Sequence, residues 1–300
     1  MDILFDTSAI NHSLDDPEGG AIVSGLLASG NIIHVSAISV VEAASTPDVD
    51  RRRALLRWMK FMTGEVRPLE MPNALILRAV AAYGGRNPSL DWSICREADV
   101  LWGALVDPES ADDELREDLR AFQRSLKRDF RLCHVRARPH FQRLFNGTAP
   151  RHASTLLLEY LRHPDDLRRI VNDTVYRQTV GCDLPAEEIW ELFRVVPEIA
   201  GFMLAWGHSV YRRAIGPGGG AHNNAGILDL WFATYLGRID RFVTSDLQQY
   251  KALRLVAALV PDGRHTSQRP ARRCAVSQYD AYRRGLLVSG RSPVHATNDV

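Results

Sequence analysis

The chain has 300 residues, 45% apolar and 24% charged, with a formal net charge of +1. That is enough chain to bury a core in one large or two smaller globular domains, and the near-zero charge excludes a polyelectrolyte, so any affinity for nucleic acid has to come from local clusters. Cys95, Cys133, Cys182 and Cys274 are dispersed without a CxxC pair, which argues against a disulfide framework and for a reducing, cytoplasmic setting. The start lacks a signal-peptide pattern, and no apolar run approaches the roughly 18 residues of a membrane span.

Ile3-Leu4-Phe5 is a short apolar run ending in Asp6-Thr7-Ser8, the pattern of a buried parallel strand that stops at polar groups. Ile22, Leu26 and Leu27 then recur with helical spacing before Ser29-Gly30. Ile32 to Ser36 forms a second strand, and Ile38, Val41 and Glu42 open a helix that Pro47 interrupts. Leu55, Met59 and Met62 give the apolar stripe of a further helix. Val66 to Met71 is a candidate third strand, leading through Pro72 into a helix that ends near Gly84-Gly85. Strands alternating with helices predict an α/β fold with a parallel sheet.

Beyond Gly85 the periodicity becomes helical almost throughout, as in Leu115, Leu119, Phe122, Leu126 and Phe130 of one long amphipathic helix. Asp183-Leu-Pro185-Ala-Glu187 is another helix start. Gly216-Pro-Gly-Gly-Gly220 then forms a hinge, not a phosphate loop, since no Lys-Ser/Thr follows it. After the hinge, Ile227 to Leu236 is helical and Arg241 to Ser245 is a strand ending at Asp246. The organisation expected is an α/β core from residues 1–85 and 220–263, with a mostly helical insertion at 86–219. Such a graft would have its ends close together, would wall the cleft beside Asp229, and a short linker would replace it without loss of the core. Residues 264–300 hold seven arginines against two aspartates with few apolar anchors, the composition of a basic, loosely ordered tail.

In an open parallel sheet, ligands bind at the carboxyl ends of the strands. Asp6 and Asp246 directly follow strand runs, Glu42 lies in the helix after the second strand, and Asp229 begins a helix before the last strand. Each has an ordinary role when taken alone: Asp6, Asp229 and Asp246 as helix caps, Glu42 as a solvated helix residue. Gathered, four carboxylates repel unless a cation neutralises them. With no matching His/Cys set, the fitting ions are hard, oxygen-liganded Mg²⁺ or Mn²⁺.

Four segments bear a family resemblance. Asp2-Ile-Leu-Phe-Asp6-Thr-Ser-Ala-Ile10 resembles the opening strand of a PIN domain, and His34-Val-Ser-Ala-Ile-Ser-Val-Val-Glu42 is similar to that family's second motif. Asp229-Leu-Trp-Phe-Ala-Thr-Tyr-Leu236 resembles the third, and Phe242-Val-Thr-Ser-Asp246 the fourth. The likeness covers roughly residues 1–85 and 220–262, not the helical block or the tail. It implies a metal-dependent endoribonuclease in which Asp6, Glu42, Asp229 and Asp246 ligate Mg²⁺ or Mn²⁺ that activates water for attack on RNA. It further implies Ser8, Ser36 and Thr244 as donors orienting those carboxylates. Among partners it implies RNA and, as for toxin-like members, an antitoxin-like inhibitor protein; the sequence leaves homo-oligomerisation open.

Arg120, Arg124, Lys127 and Arg131 share one face of the long helix, away from its apolar stripe, and offer a row of cations to phosphates; the ordinary reading is a solvated face. Cys133-His134 and His140 lack a second ligand pair for zinc. His222-Asn223-Asn224 lies close to where the acids should meet, placed to hold a metal water or phosphate, or only to end a loop. Competing readings are a structure-selective DNA nuclease and a non-catalytic PIN-like RNA-binding module. A haloacid-dehalogenase-like phosphatase would need an aspartate where Ser8 stands.

Overall fold

The structure, a computed structural model, describes residues 1–86, 92–144, 161–210, 227–261 and 273–289. The four apolar or half-apolar strand segments, β1 (Asp2–Phe5), β2 (Ile32–His34), β3 (Arg241–Thr244) and β4 (Ala275–Gln278), form a sheet of order β2-β1-β3-β4. All three pairings are parallel. Ile3, Leu4 and Phe5 are fully buried in the inner strand β1, which accounts for their uninterrupted apolar run. The α/β expectation and the parallel sheet are therefore both observed.

Two expectations are corrected. Val66–Met71 is not a strand: only Leu69 pairs, in an isolated parallel bridge with Ser36. Pro68 beside it has no N–H to extend a ladder. Nor is the stretch after residue 264 a loose tail over its described part. Residues 275–278 are the edge strand β4, and α14 (Tyr279–Ser289) folds back on the sheet. Its anchors are aromatic and therefore few: Tyr279 and Tyr282 set their ring edges against Phe5 at 6.5 and 6.4 Å. Arg283 adds an ion pair to the buried Asp16 at 2.9 Å.

Between β1 and β2 run α1 (Thr7–Asp15) and α2 (Gly19–Ala28). After β2 come α3 (Ala37–Ala44), α4 (Val49–Thr63) and α5 (Pro72–Tyr83), the last with Pro72 at its first turn. Ser36 and Asp48 cap α3 and α4 through their side chains. The helical block contains α6 (Trp92–Val106), α7 (Asp113–Leu144), α8 (Pro164–Val171), α9 (Arg177–Val180), α10 (Ile189–Val195) and α11 (Pro197–Val210). Among its described residues there is no strand. Then α12 (Ile227–Trp231) tightens into a 3-10 turn, Phe232–Tyr235, and α13 (Leu247–Ala257) follows β3.

The block shares the core of the sheet-bearing segments. Every residue of α11 except Phe202 is buried, and the helix packs on α5, α12, α13 and the Phe232–Tyr235 turn. At Gly201 the approach is so close that a Cβ would lie 2.1 Å from the Ala233 carbonyl oxygen. The fully buried Arg52 of α4 holds the start of α7, donating to Ala111 O at 2.8 Å and to Asp113 at 2.9 Å.

Candidate active site

The parallel sheet brings the ends of β1 and β3 side by side, with Phe5 opposite Val243 in the register. The next residues therefore meet at the carboxyl edge. Asp6 is the N-cap of α1 and accepts from the Ala9 amide at 2.8 Å. It also receives the Ser8 hydroxyl at 2.9 Å and the Thr244 hydroxyl at 2.8 Å. In return Ser8 Oγ accepts the amides of Ser245 and Asp246 at 2.9 and 3.1 Å. One serine thus stitches the two strand ends together around a carboxylate that is only 3% exposed.

Glu42 projects from α3 and is half-buried. Its carboxylate accepts the hydroxyl of Thr7, the residue next to Asp6. Burial pushes the Asp6 carboxyl up to about 7 against the lowering pull of Ala9, Thr244 and Ser8, and the negative charge of Asp229 adds to the rise. Glu42 is likewise pushed up to about 7, by burial first and then by Asp229, while its Thr7 bond and the Lys127 cation oppose the rise. Asp229 thus acts electrostatically on both Asp6 and Glu42.

Asp229 is the third residue of α12, not its cap, and is half-buried. Asp246 is exposed and caps α13, accepting the amides of Gln248 and Gln249 at 2.6 and 2.8 Å. Its backbone is tied to Ser8 and Thr244, so the residue belongs to the same edge. Ser8 and Thr244 both donate their hydroxyls to Asp6. Ser36 does not orient a carboxylate: its hydroxyl accepts the Ser39 amide and meets the Ser39 hydroxyl, both at 3.0 Å. The N-cap geometry turns that side chain onto the first turn of α3.

Among the cations, Arg124 and Arg131 are exposed, Lys127 is half-buried, and Arg120 lies 3.7 Å from Glu117. The helix that carries them packs on α3 and α12, the helices of Glu42 and Asp229. The Gly216–Gly220 hinge and His222-Asn223-Asn224 lie outside the described residues, as do the side chains of Cys133, His134 and His140.

The sequence reading missed Thr7, Gln249 and His12. Gln249 stands three residues after the cap Asp246, the spacing of a capping box, which was a usable signal. His12 meets Ser245 Oγ at 3.1 Å and packs at a tilt against Tyr279 with ring centroids 4.8 Å apart; no local pattern marks it.

Among the described residues, no group of three or more His, Cys, Asp or Glu side chains is placed to hold a metal ion. The donors at this edge are nonetheless all oxygens, with Asp6 and Glu42 held back from ionisation by burial and by Asp229. Oxygen donors are the kind that a hard divalent cation such as Mg²⁺ prefers. Compared with protein-family models, with curated proteins and with solved structures, the chain matches none.

Proposed function

We propose that this chain is a Mg²⁺- or Mn²⁺-dependent endoribonuclease of the PIN type, hydrolysing RNA phosphodiester bonds in a toxin-like or RNA-processing role. The observation that carries the reading is the buried Asp6 carboxylate, fixed at the end of β1 by Ser8 and by Thr244 of the neighbouring strand, with Asp229 in electrostatic range of both Asp6 and Glu42. Such a set is costly without a cation and useful with one. A bound Mg²⁺ or Mn²⁺ would supply Lewis acidity and a water of lowered pKa.

The chain's own residues divide the remaining work. Ser8 and Thr244 hold Asp6 in one orientation, and Thr7 does the same for Glu42. Arg124, Lys127 and Arg131 line the helix beside the acids and meet the phosphates flanking the scissile bond. The matching test incubates labelled RNA and DNA of the same sequence with wild type and Asp6→Asn, in Mg²⁺, Mn²⁺ or EDTA. RNA cleavage confined to wild type with metal supports the reading. Cleavage surviving in EDTA or in Asp6→Asn sinks the metal site, and cleavage of DNA alone reassigns the substrate.

A further inference from the structure

Gln249 is 3% exposed, and a buried amide has to find partners for both its ends. Its Oε1 accepts the Thr244 hydroxyl at 2.6 Å, and its Nε2 donates to the backbone carbonyl of Asp229 at 3.1 Å. This orientation of the amide follows from chemistry, because a carbonyl only accepts. The Gln249 backbone amide, in turn, donates to the Asp246 carboxylate at 2.8 Å. One residue therefore reaches Asp229 and Asp246 directly, and Asp6 through Thr244.

We propose that Gln249 is the positioning residue of this site, fixing the Asp229 helix against the Asp6–Thr244 pair. The inference rests on the metal-dependent nuclease reading above. Helix α12 has only five residues before it tightens into the 3-10 turn. A helix that short does not fix its own place; tertiary bonds such as the one from Gln249 do. Thr244 has one hydroxyl proton and two acceptors, Asp6 and Gln249. The side chain at position 249 thus governs how firmly Asp6 is held as well as where Asp229 stands. The bond from Gln249 departs from the ordinary capping box, in which the glutamine returns to the cap's own amide.

The test uses the full chain with Gln249→Met, similar in shape but without either bond, and Gln249→Glu, which keeps an acceptor for Thr244 but sets an oxygen against the Asp229 carbonyl. Manganese titration by calorimetry, RNA cleavage kinetics and amide hydrogen exchange over residues 227–235 are measured on both. The expected result is Mn²⁺ affinity and kcat lower by about 10- to 100-fold, as for outer partners of metal ligands. KM for RNA should be nearly unchanged and exchange faster in 227–235. A variant that folds less well only because its packing is poorer would weaken global stability without this split. If Gln249→Met does not fold, Gln249→Glu carries the same measurements. Wild type that cleaves RNA with Mn²⁺, beside variants that match it in Mn²⁺ affinity and kcat, overturns this inference alone. Wild type that neither binds Mn²⁺ nor cleaves RNA overturns the nuclease reading and this inference with it.

Discussion

Thr244 donates its hydroxyl to the Asp6 carboxylate at 2.8 Å across 238 residues of sequence. The bond exists because Phe5 and Val243 are opposed in adjacent parallel strands, so the residues after each strand emerge together. It holds a desolvated acid at the edge where a parallel sheet offers its ligand site. Much of the molecule's expected behaviour follows from the cost of that acid.

Asp6 has a folded pKa of about 7, above its ordinary value of 3.8, chiefly through burial. Glu42 behaves alike, rising from 4.5 to about 7. For a raised acid, the folded state binds the proton more tightly than the unfolded state. Its stabilising contribution is complete below about pH 4 and is lost as pH rises through about 7. Metal-free protein should therefore be less stable at pH 8 than at pH 5, by a few kcal/mol in order of magnitude. Asp6→Asn should flatten this slope and be the more stable protein at pH 8 in EDTA. Urea melts across that range decide it; equal slopes for the two proteins would contradict the assignment.

The cationic face of α7 should contribute affinity rather than chemistry. Changing Arg120, Arg124, Lys127 and Arg131 to Gln should raise the apparent dissociation constant for RNA. The log–log salt dependence should flatten by roughly 0.7 for each single-strand phosphate that is no longer neutralised. Arg120 should matter least, since Glu117 already stands 3.7 Å from it. Cleavage at saturating RNA should stay near wild type. Filter binding at several salt concentrations measures this, and an unaltered slope would make the stripe a solvated surface.

The sequence makes the inner strands legible because Ile3-Leu4-Phe5 and Phe242-Val243 are buried without interruption, and apolar runs report such burial directly. Asp6 and Thr244 were accessible for the same reason: they are the first polar residues after or at the end of those runs. Strand β4 was not, because an edge strand is only partly buried and Ala275-Val-Ser-Gln278 has little apolar signal. Ser36 misled because one short polar side chain serves equally as a helix cap or a carboxylate donor, and only the backbone geometry chooses. The capping spacing from Asp246 marks Gln249 but not its side-chain partners, which stand 5 and 20 residues back along the chain.

The C-terminal segment should prove essential to the fold. Tyr279 is 1% exposed, packs edge-on against Phe5 and donates to the buried Asp16 at 3.2 Å. Tyr279→Ala should cost about 3–5 kcal/mol, the range for deleting a buried aromatic side chain. A loose basic tail would instead make the substitution neutral. Equilibrium urea unfolding distinguishes the two, with far-ultraviolet circular dichroism as the signal.

Replacing residues 86–218 with a Gly/Ser linker is expected to unfold the protein, contrary to what a grafted insertion would allow. Closing the loop is not the obstacle: α5, just before the block, packs directly on α11 near its end, and closure entropy changes slowly with length. The obstacle is the loss of α11 itself. Ile199, Met203, Leu204, Trp206 and Val210 are all buried against the turn after α12 and the helices around it. Together such side chains contribute on the order of 10 kcal/mol, comparable with the about 5–15 kcal/mol net stability of a whole domain. Their removal would also bare the apolar surface of Phe232 and Tyr235. Expression of the shortened chain beside full-length Asp6→Asn settles the matter. Soluble shortened protein with a cooperative melt would show that α11 is dispensable, whereas aggregation of that chain alone, with Asp6→Asn folded, would place α11 in the core on which the acidic edge is built.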